Sequence, residues 1–178
     1  MTKRSISLLL ALALVGGCCQ ETSKLVEVST YNQSLTASQI KEDFDVLVTT
    51  LKTNHPGLYD YQNEDDFQSL TKSLENKILS AANVLDVYGI VSRLIAAVGD
   101  AHTYAINPYY QNILEEELLF PIIPQIDKNQ ITIEGKRLKS INGNPEEQIL
   151  TRLQSFANSD GKTIPYKNAF IEMEFPVK

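Results

Sequence analysis

The sequence predicts an α+β protein in which an N-terminal three-helix bundle is followed by a small strand-containing module. Apolar residues recur at helical spacing in three successive stretches between Ile40 and Val98. Beyond Phe120 the pattern changes to short alternating runs, punctuated by prolines and by Asn-Gly and Asp-Gly turn signals. The chain has 178 residues, 43% of them hydrophobic, which suffices for one ordinary core or two small ones.

The first eighteen residues carry an address, not a fold. Lys3 and Arg4 form a short basic region, and Ile6 to Val15 is an apolar run interrupted only by Ser7. About ten apolar residues are too few to span a bilayer, which needs about twenty, so the run reads as a removable export signal. Val15-Gly16-Gly17-Cys18 resembles the lipobox of a bacterial lipoprotein. Cleavage after residue 17 would leave Cys18 as a diacylated N-terminus, and two acyl chains suffice for stable anchoring. The expected location is the cell envelope, lipid-anchored at the outer membrane or cell surface. The other reading is an ordinary secretory signal with Cys18 a bystander. Residues 18–34 are polar, without helical periodicity, and read as a tether.

The first helix has a defined start. Thr36 and Gln39 form a capping box, with Leu35 and Ile40 spaced as a hydrophobic staple. Ile40, Phe44, Leu47, Val48 and Leu51 make one stripe, and Pro56 sets an end near Thr53. A second helix is expected after Asn63 as cap, with Phe67, Leu70, Leu74 and Ile78 inward. A third runs from about Val84 through Val87, Ile90, Val91, Leu94, Ile95 and Val98, stopped by Gly99 in the left-handed conformation. In the second half, Phe120-Pro121-Ile122-Ile123-Pro124 fits only an edge strand or an extended segment. Gln130 to Glu134 alternates, and Arg137 to Ile141 does so imperfectly. Asn142-Gly143 is a tight turn. Asn144 is expected to cap a further helix opened by Pro145, with Ile149, Leu150, Leu153 and Phe156 inward. Asp160-Gly161 is another turn, and the run Phe170 to Phe175 reads as the beginning of an element.

Composition excludes several functions. The net charge is −6, and more acidic still without Lys3 and Arg4, which argues against nucleic acid as a partner. The two cysteines, Cys18 and Cys19, are adjacent, so there is no disulfide framework. No Cys/His cluster has zinc spacing and no glycine-rich phosphate loop is present. Glu115-Glu116-Glu117 reads as a solvated face, because consecutive acids point to different sides of an element.

Two histidines are present, the side-chain type suited to proton exchange near neutral pH. His102 lies in Gly99-Asp100-Ala101-His102-Thr103, just past the third helix, where Asp100 could orient or charge it for proton exchange. The alternative is that His102 packs under the bundle while Asp100 caps a helix end. His55, in Asn54-His55-Pro56-Gly57-Leu58-Tyr59, reads as a turn residue filling a hydrogen bond. No serine sits in a Gly-x-Ser-x-Gly elbow. Tyr59, Tyr61, Tyr104, Tyr109 and Tyr110 flank the histidine segments, as a groove lining or as a half-buried rim.

The order of these segments resembles the N-terminal part of the tail-specific (C-terminal-processing) serine peptidase family, in its lipoprotein form. The matching pieces are the helix into His55-Pro56-Gly57-Leu58-Tyr59, then Phe67, the third helix ending in Gly99-Asp100-Ala101-His102-Thr103, Phe120-Pro121, Leu138-Lys139-Ser140-Ile141-Asn142-Gly143-Asn144-Pro145, and Ser159-Asp160-Gly161-Lys162. Ala101 replaces the family's usual glycine. Together the pieces run from about Leu35 to Lys178. The resemblance implies a serine acyl-transfer chemistry with neither a metal nor an organic cofactor. It also implies that residues 108–178 hold a PDZ-like remnant and that the peptidase α/β core, with its catalytic serine, is absent. It makes His102 the candidate general base, as in the tricorn branch, with Asp100 the candidate orienting carboxylate. In the branch that uses a serine–lysine dyad, the same segment would be structural.

The sequence is accordingly divided into a signal peptide (1–17), a tether (18–34), a helical bundle (35–107) and a small, incomplete α+β module (108–178). The expected function is that of the N-terminal region of a truncated serine-type peptidase, non-catalytic alone. The competing expectation is a non-catalytic surface-binding lipoprotein that recognises a peptide or protein partner. In both, the membrane is met through the lipid at Cys18.

Overall fold

The computed structural model describes residues 34–107, 124–161 and 163–174. The signal segment, Cys18, the tether up to residue 33, Tyr109, Tyr110, the Glu115–Glu117 run and the Phe120-Pro121 step lie outside them, while Ser34, the last tether residue, forms an antiparallel bridge with Asn83. The described fold is α+β: three helices, two short antiparallel sheets and two further helices, with no peptidase α/β core among the described residues. No helix of the described residues is long and apolar enough to cross a membrane.

Helix α1 (Ala37–Asn54) begins as its sequence dictates. The Thr36 side chain accepts the Gln39 N–H, and the Gln39 side chain accepts the Thr36 N–H. Helix α2 (Glu64–Ile78) starts on Asn63, whose side chain accepts the Asp66 N–H at 2.7 Å. Helix α3 (Val84–Val98) starts on Asn83 in the same way and ends on Gly99 at φ +77°. Each cap satisfies one of the backbone donors that a helix start leaves orphaned. Helix α2 packs against both α1 and α3. Phe44, Leu51, Leu58, Phe67, Leu74, Ile78, Leu94, Ile95 and Val98 meet in their core, all fully or almost fully buried. Leu35, partly buried, packs against this core, of which Ile40 is a member.

The second half is built around Ile131. Strands β1 (Gln125–Asp127), β2 (Gln130–Ile133) and β3 (Lys136–Arg137) form an antiparallel meander in the order β1-β2-β3. Strands β4 (Ser140–Ile141) and β5 (Asn144–Pro145) form a separate hairpin closed by Asn142 and Gly143, both at positive φ, the requirement of a tight two-residue turn. Helix α4 (Glu146–Gln154) and helix α5 (Ile164–Glu174) cover the meander, and Ile131, Leu150, Ala157 and Ile171 make a second core. Glu146 fastens α4 to the sheet. Its buried carboxylate accepts the Ile131 N–H at 2.6 Å and two guanidinium N–H groups of Arg137 at 2.7 and 2.8 Å. Arg137 holds the Glu146 carboxyl below its ordinary 4.5 against the opposing push of burial, with the Ile131 N–H adding to the depression.

Three expectations need correction. Pro145 is the N-cap of α4 rather than its first residue, and Asn144 is a strand residue whose side chain donates to the Ile141 carbonyl instead of capping. The run from Arg137 to Ile141 is not one strand but the end of β3 and the whole of β4, in different sheets. Residues Phe170 to Glu174 lie inside α5, which starts six residues before Phe170 at Ile164, so the described part of the run continues an element instead of beginning one.

Candidate functional site

The loop after α3 is held from two sides. Gly99 turns the chain out of the helix. Its left-handed conformation admits no side chain cheaply, and a Cβ there would stand 3.2 Å from that of Tyr61. Asp100 follows and folds its carboxylate back on the loop. One oxygen accepts the backbone N–H of His102 at 2.9 Å, and the other accepts the Thr103 hydroxyl at 2.8 Å. That second oxygen also lies 3.2 Å from Nε2 of His55. Burial pushes the Asp100 carboxyl up, but the His102 N–H, the Thr103 hydroxyl and the nearby imidazoles outweigh it and hold the group below its ordinary 3.8.

His55 comes from the C-cap of α1, forty-eight residues away, where Pro56 turns the chain. Its ring is buried, and Nε2 lies 2.9 Å from the Thr103 hydroxyl oxygen. The proton order follows from donor arithmetic. Thr103 has one hydroxyl proton and gives it to Asp100, so its oxygen must accept from His55, which places a proton on Nε2. Nδ1 is buried with no hydrogen-bond partner among the described residues.

The second side comes from the connection between α4 and α5. Asn158 donates its amide to the Thr103 carbonyl at 2.8 Å, and Asp160 accepts the Ala101 N–H at 2.9 Å. The Gly161 N–H donates to the Gly99 carbonyl at 2.7 Å. Tyr61 lies against both Gly99 and Gly161. The loop is thus clasped to the bundle through His55 and to the second half through residues 158–161.

His102 is neither under the bundle nor oriented through its ring by Asp100. Asp100 grips its backbone, while the imidazole is exposed and has no hydrogen-bond partner among the described residues. Tyr61 and Tyr104 are about half exposed beside this loop and in it, and Tyr59, also partly exposed, sets its ring edge-on to Phe67. His55 fills a hydrogen bond at a turn, but the bond is buried and ties α1 to the loop after α3. Sequence reasoning missed that link, as it missed Asn158 and Asp160. The neighbouring Pro56 signalled a turn but could not name a partner half a domain away.

An imidazole, a hydroxyl and a carboxylate lie together here, yet the arrangement cannot act as a nucleophilic triad. A working triad places the imidazole between the hydroxyl and the carboxylate, so that it can take the hydroxyl proton. Here the hydroxyl sits between the other two, its proton is directed at the carboxylate, and Thr103 is only 3% exposed. The other buried hydroxyl of the region, Ser159, donates to the Gly161 carbonyl. Among the described residues no group of three or more His, Cys, Asp and Glu side chains could hold a metal ion. No protein-family model matches the chain, and no curated protein does.

Proposed function

We propose that this chain is the helical and small-sheet N-terminal region of a lipid-anchored serine-type tail-specific peptidase, with no turnover of its own, and that it displays His102 on a fixed loop. The observation that supports the reading is the clasp around Gly99–Thr103: the backbone is fastened from both halves, yet the His102 ring is exposed and has no hydrogen-bond partner among the described residues. A general base needs that combination of a held backbone and an accessible ring nitrogen. It also needs a nucleophile, and neither Thr103 nor Ser159 can serve, since both hydroxyls are buried and bonded inward.

The test has two arms. The purified chain, treated with a fluorophosphonate serine probe, should remain unlabelled and should not cleave unstructured peptides. Stoichiometric labelling of one serine would overturn the non-catalytic part. Joined to a serine-bearing core, the chain should lose about 10²–10⁴-fold in peptidase rate on His102→Ala. An indifferent enzyme would assign the loop to structure alone. The anchoring part of the proposal rests on Val15-Gly16-Gly17-Cys18. Cys18→Ala should abolish labelling by radioactive palmitate and Cys19→Ala should not.

A second reading, a surface-binding lipoprotein, draws on the exposure of Tyr59, Tyr61 and Tyr104 around the same loop, because tyrosine is a favoured anchor of protein interfaces. It requires Tyr104→Ala to weaken capture of a partner, with His102→Ala without effect on any hydrolysis.

A further inference from the structure

On another side of the molecule, helices α2, α3 and α4 enclose a groove of about 820 Å³, within the size range of ligand sites. Its apolar parts include Leu74, Ile90 and Phe156, and Gly89 leaves open space where a side chain would otherwise project. Three cations border it, each from a different helix: Lys77 of α2, Arg93 of α3 and Arg152 of α4. The side chains of all three lack an ion-pair or hydrogen-bond partner among the described residues. In a chain of net charge −6, three unpaired cations around one groove are a concentration of the minority charge.

Two acids, Asp86 and Glu147, also line the groove and leave the cations one positive charge in excess. The Asp86 carboxylate accepts the Ala82 N–H at the start of α3. Glu147 lies in the first turn of α4, where the helix N-terminus already offers it partial positive charge. Lys77 and Arg152 lie in the last turns of α2 and α4, where the helix C-terminus offers partial negative charge, whereas Arg93 stands in mid-helix without that compensation.

We infer that this groove binds an acidic peptide segment, one in which carboxylates alternate with apolar side chains. The apolar lining accounts for the apolar residues. Cations on three separate helices call for more than one carboxylate on the ligand, which a peptide supplies and a fatty acid does not. Exposed pairing of this kind is screened by salt, so the affinity should fall steeply as ionic strength rises.

The probe is a fluorescein-labelled decapeptide of alternating Glu and Leu, titrated with the full chain and read by fluorescence anisotropy. We expect saturable binding, with the matching Lys/Leu peptide at least tenfold weaker. Arg93→Glu and Arg152→Glu should each weaken binding about tenfold, while Lys72→Glu, outside the groove, should leave it unchanged. Gly89→Phe should block binding by filling the open space. Its thermal midpoint, and those of the charge variants, would show that the fold persists. Equal binding of the two peptides, or an Arg93→Glu/Arg152→Glu double variant that binds like the parent, would overturn the inference. So would oleate displacing the peptide at stoichiometric concentration, since that would make the groove a fatty-acid site.

Discussion

The clasp at His55 can be tested by a double-mutant cycle, because its members lie far apart in sequence and close in space. His55→Leu removes the donor to Thr103 while keeping an apolar side chain in the buried position. It leaves the Thr103 oxygen without its donor and removes the imidazole beside Asp100. Thr103→Val removes the hydroxyl with little change of volume, strips Asp100 of a hydrogen bond, and leaves the buried Nε2–H of His55 only the Asp100 oxygen at 3.2 Å. Each single change leaves a polar group without a partner, which costs about 1–3 kcal/mol where that group is buried. Asp100 is 30% exposed on its side chain and water can replace the bond it loses, so the cost of the Thr103 change falls mainly on the buried His55 Nε2–H. The double variant leaves fewer orphans than the two singles combined, so its cost should fall short of their sum by about 0.5–3 kcal/mol. Urea unfolding of the four proteins supplies the free energies, provided the slopes agree. His102→Ala belongs beside them as a control, and should change stability by no more than about 0.5 kcal/mol because its ring is exposed. If the two clasp substitutions are additive, or if His55→Leu alone is free of cost, the hydrogen-bond order derived above is wrong.

Leu94 is fully buried in the first core, so Leu94→Ala should lower stability by about 2–5 kcal/mol in urea unfolding; an unchanged midpoint would mean that α3 does not face that core. Gly99→Ala should cost at least about 1–2 kcal/mol, since an L-residue must take a left-handed conformation and meet Tyr61, and a neutral result would refute the placement of Tyr61 against the turn. Glu146 predicts a pH dependence with a definite sign. Its pKa is lower folded than unfolded, so its contribution is complete above the ordinary carboxyl value of 4.5 and is lost as pH falls through the folded value. Stability should therefore fall below about pH 4.5, and Glu146→Gln should flatten that fall. The part that remains should come from Asp100, which is depressed in the same direction below 3.8. An unchanged acid limb in the Gln variant would contradict the Arg137 pairing.

How much of this was legible in the sequence follows the range of each signal. Helices α1, α2 and α3 announce themselves locally: a Thr or Asn at the cap, a helical stripe, and for α3 a glycine at the stop. The Asn142-Gly143 hairpin is equally local. Helix α5 escaped because Ile164, Phe170, Ile171 and Met173 do not gather on one face, and Ile164 and Met173 are exposed. Strand β1 escaped because three residues are too few for alternation to register; its pairing with β2 is a tertiary fact. Pro145 misled in a similar way: its fixed φ suits a helix start, but the hairpin partner Ser140 claims it for β5. At the site, Asp100 and His102 stood out as neighbours in sequence, and their true relation is through a backbone N–H. The partners that decide the geometry, His55, Asn158 and Asp160, are forty-five to sixty positions away from the residues they hold, and nothing in their own surroundings names the contact.

The strap between residues 158–161 and the loop after α3 has a consequence for how the protein opens. The Ala101 and Gly161 amides belong to opposite halves of the chain, yet each is sequestered by an acceptor in the other half. Both amides lose their bonds when the same junction parts. Their exchange with deuterium should therefore follow a common opening event, well separated from amides held wholly within α1 or α2. The junction works as a mechanical fuse: unravelling that starts in the second half reaches the His102 turn before it reaches the helical core.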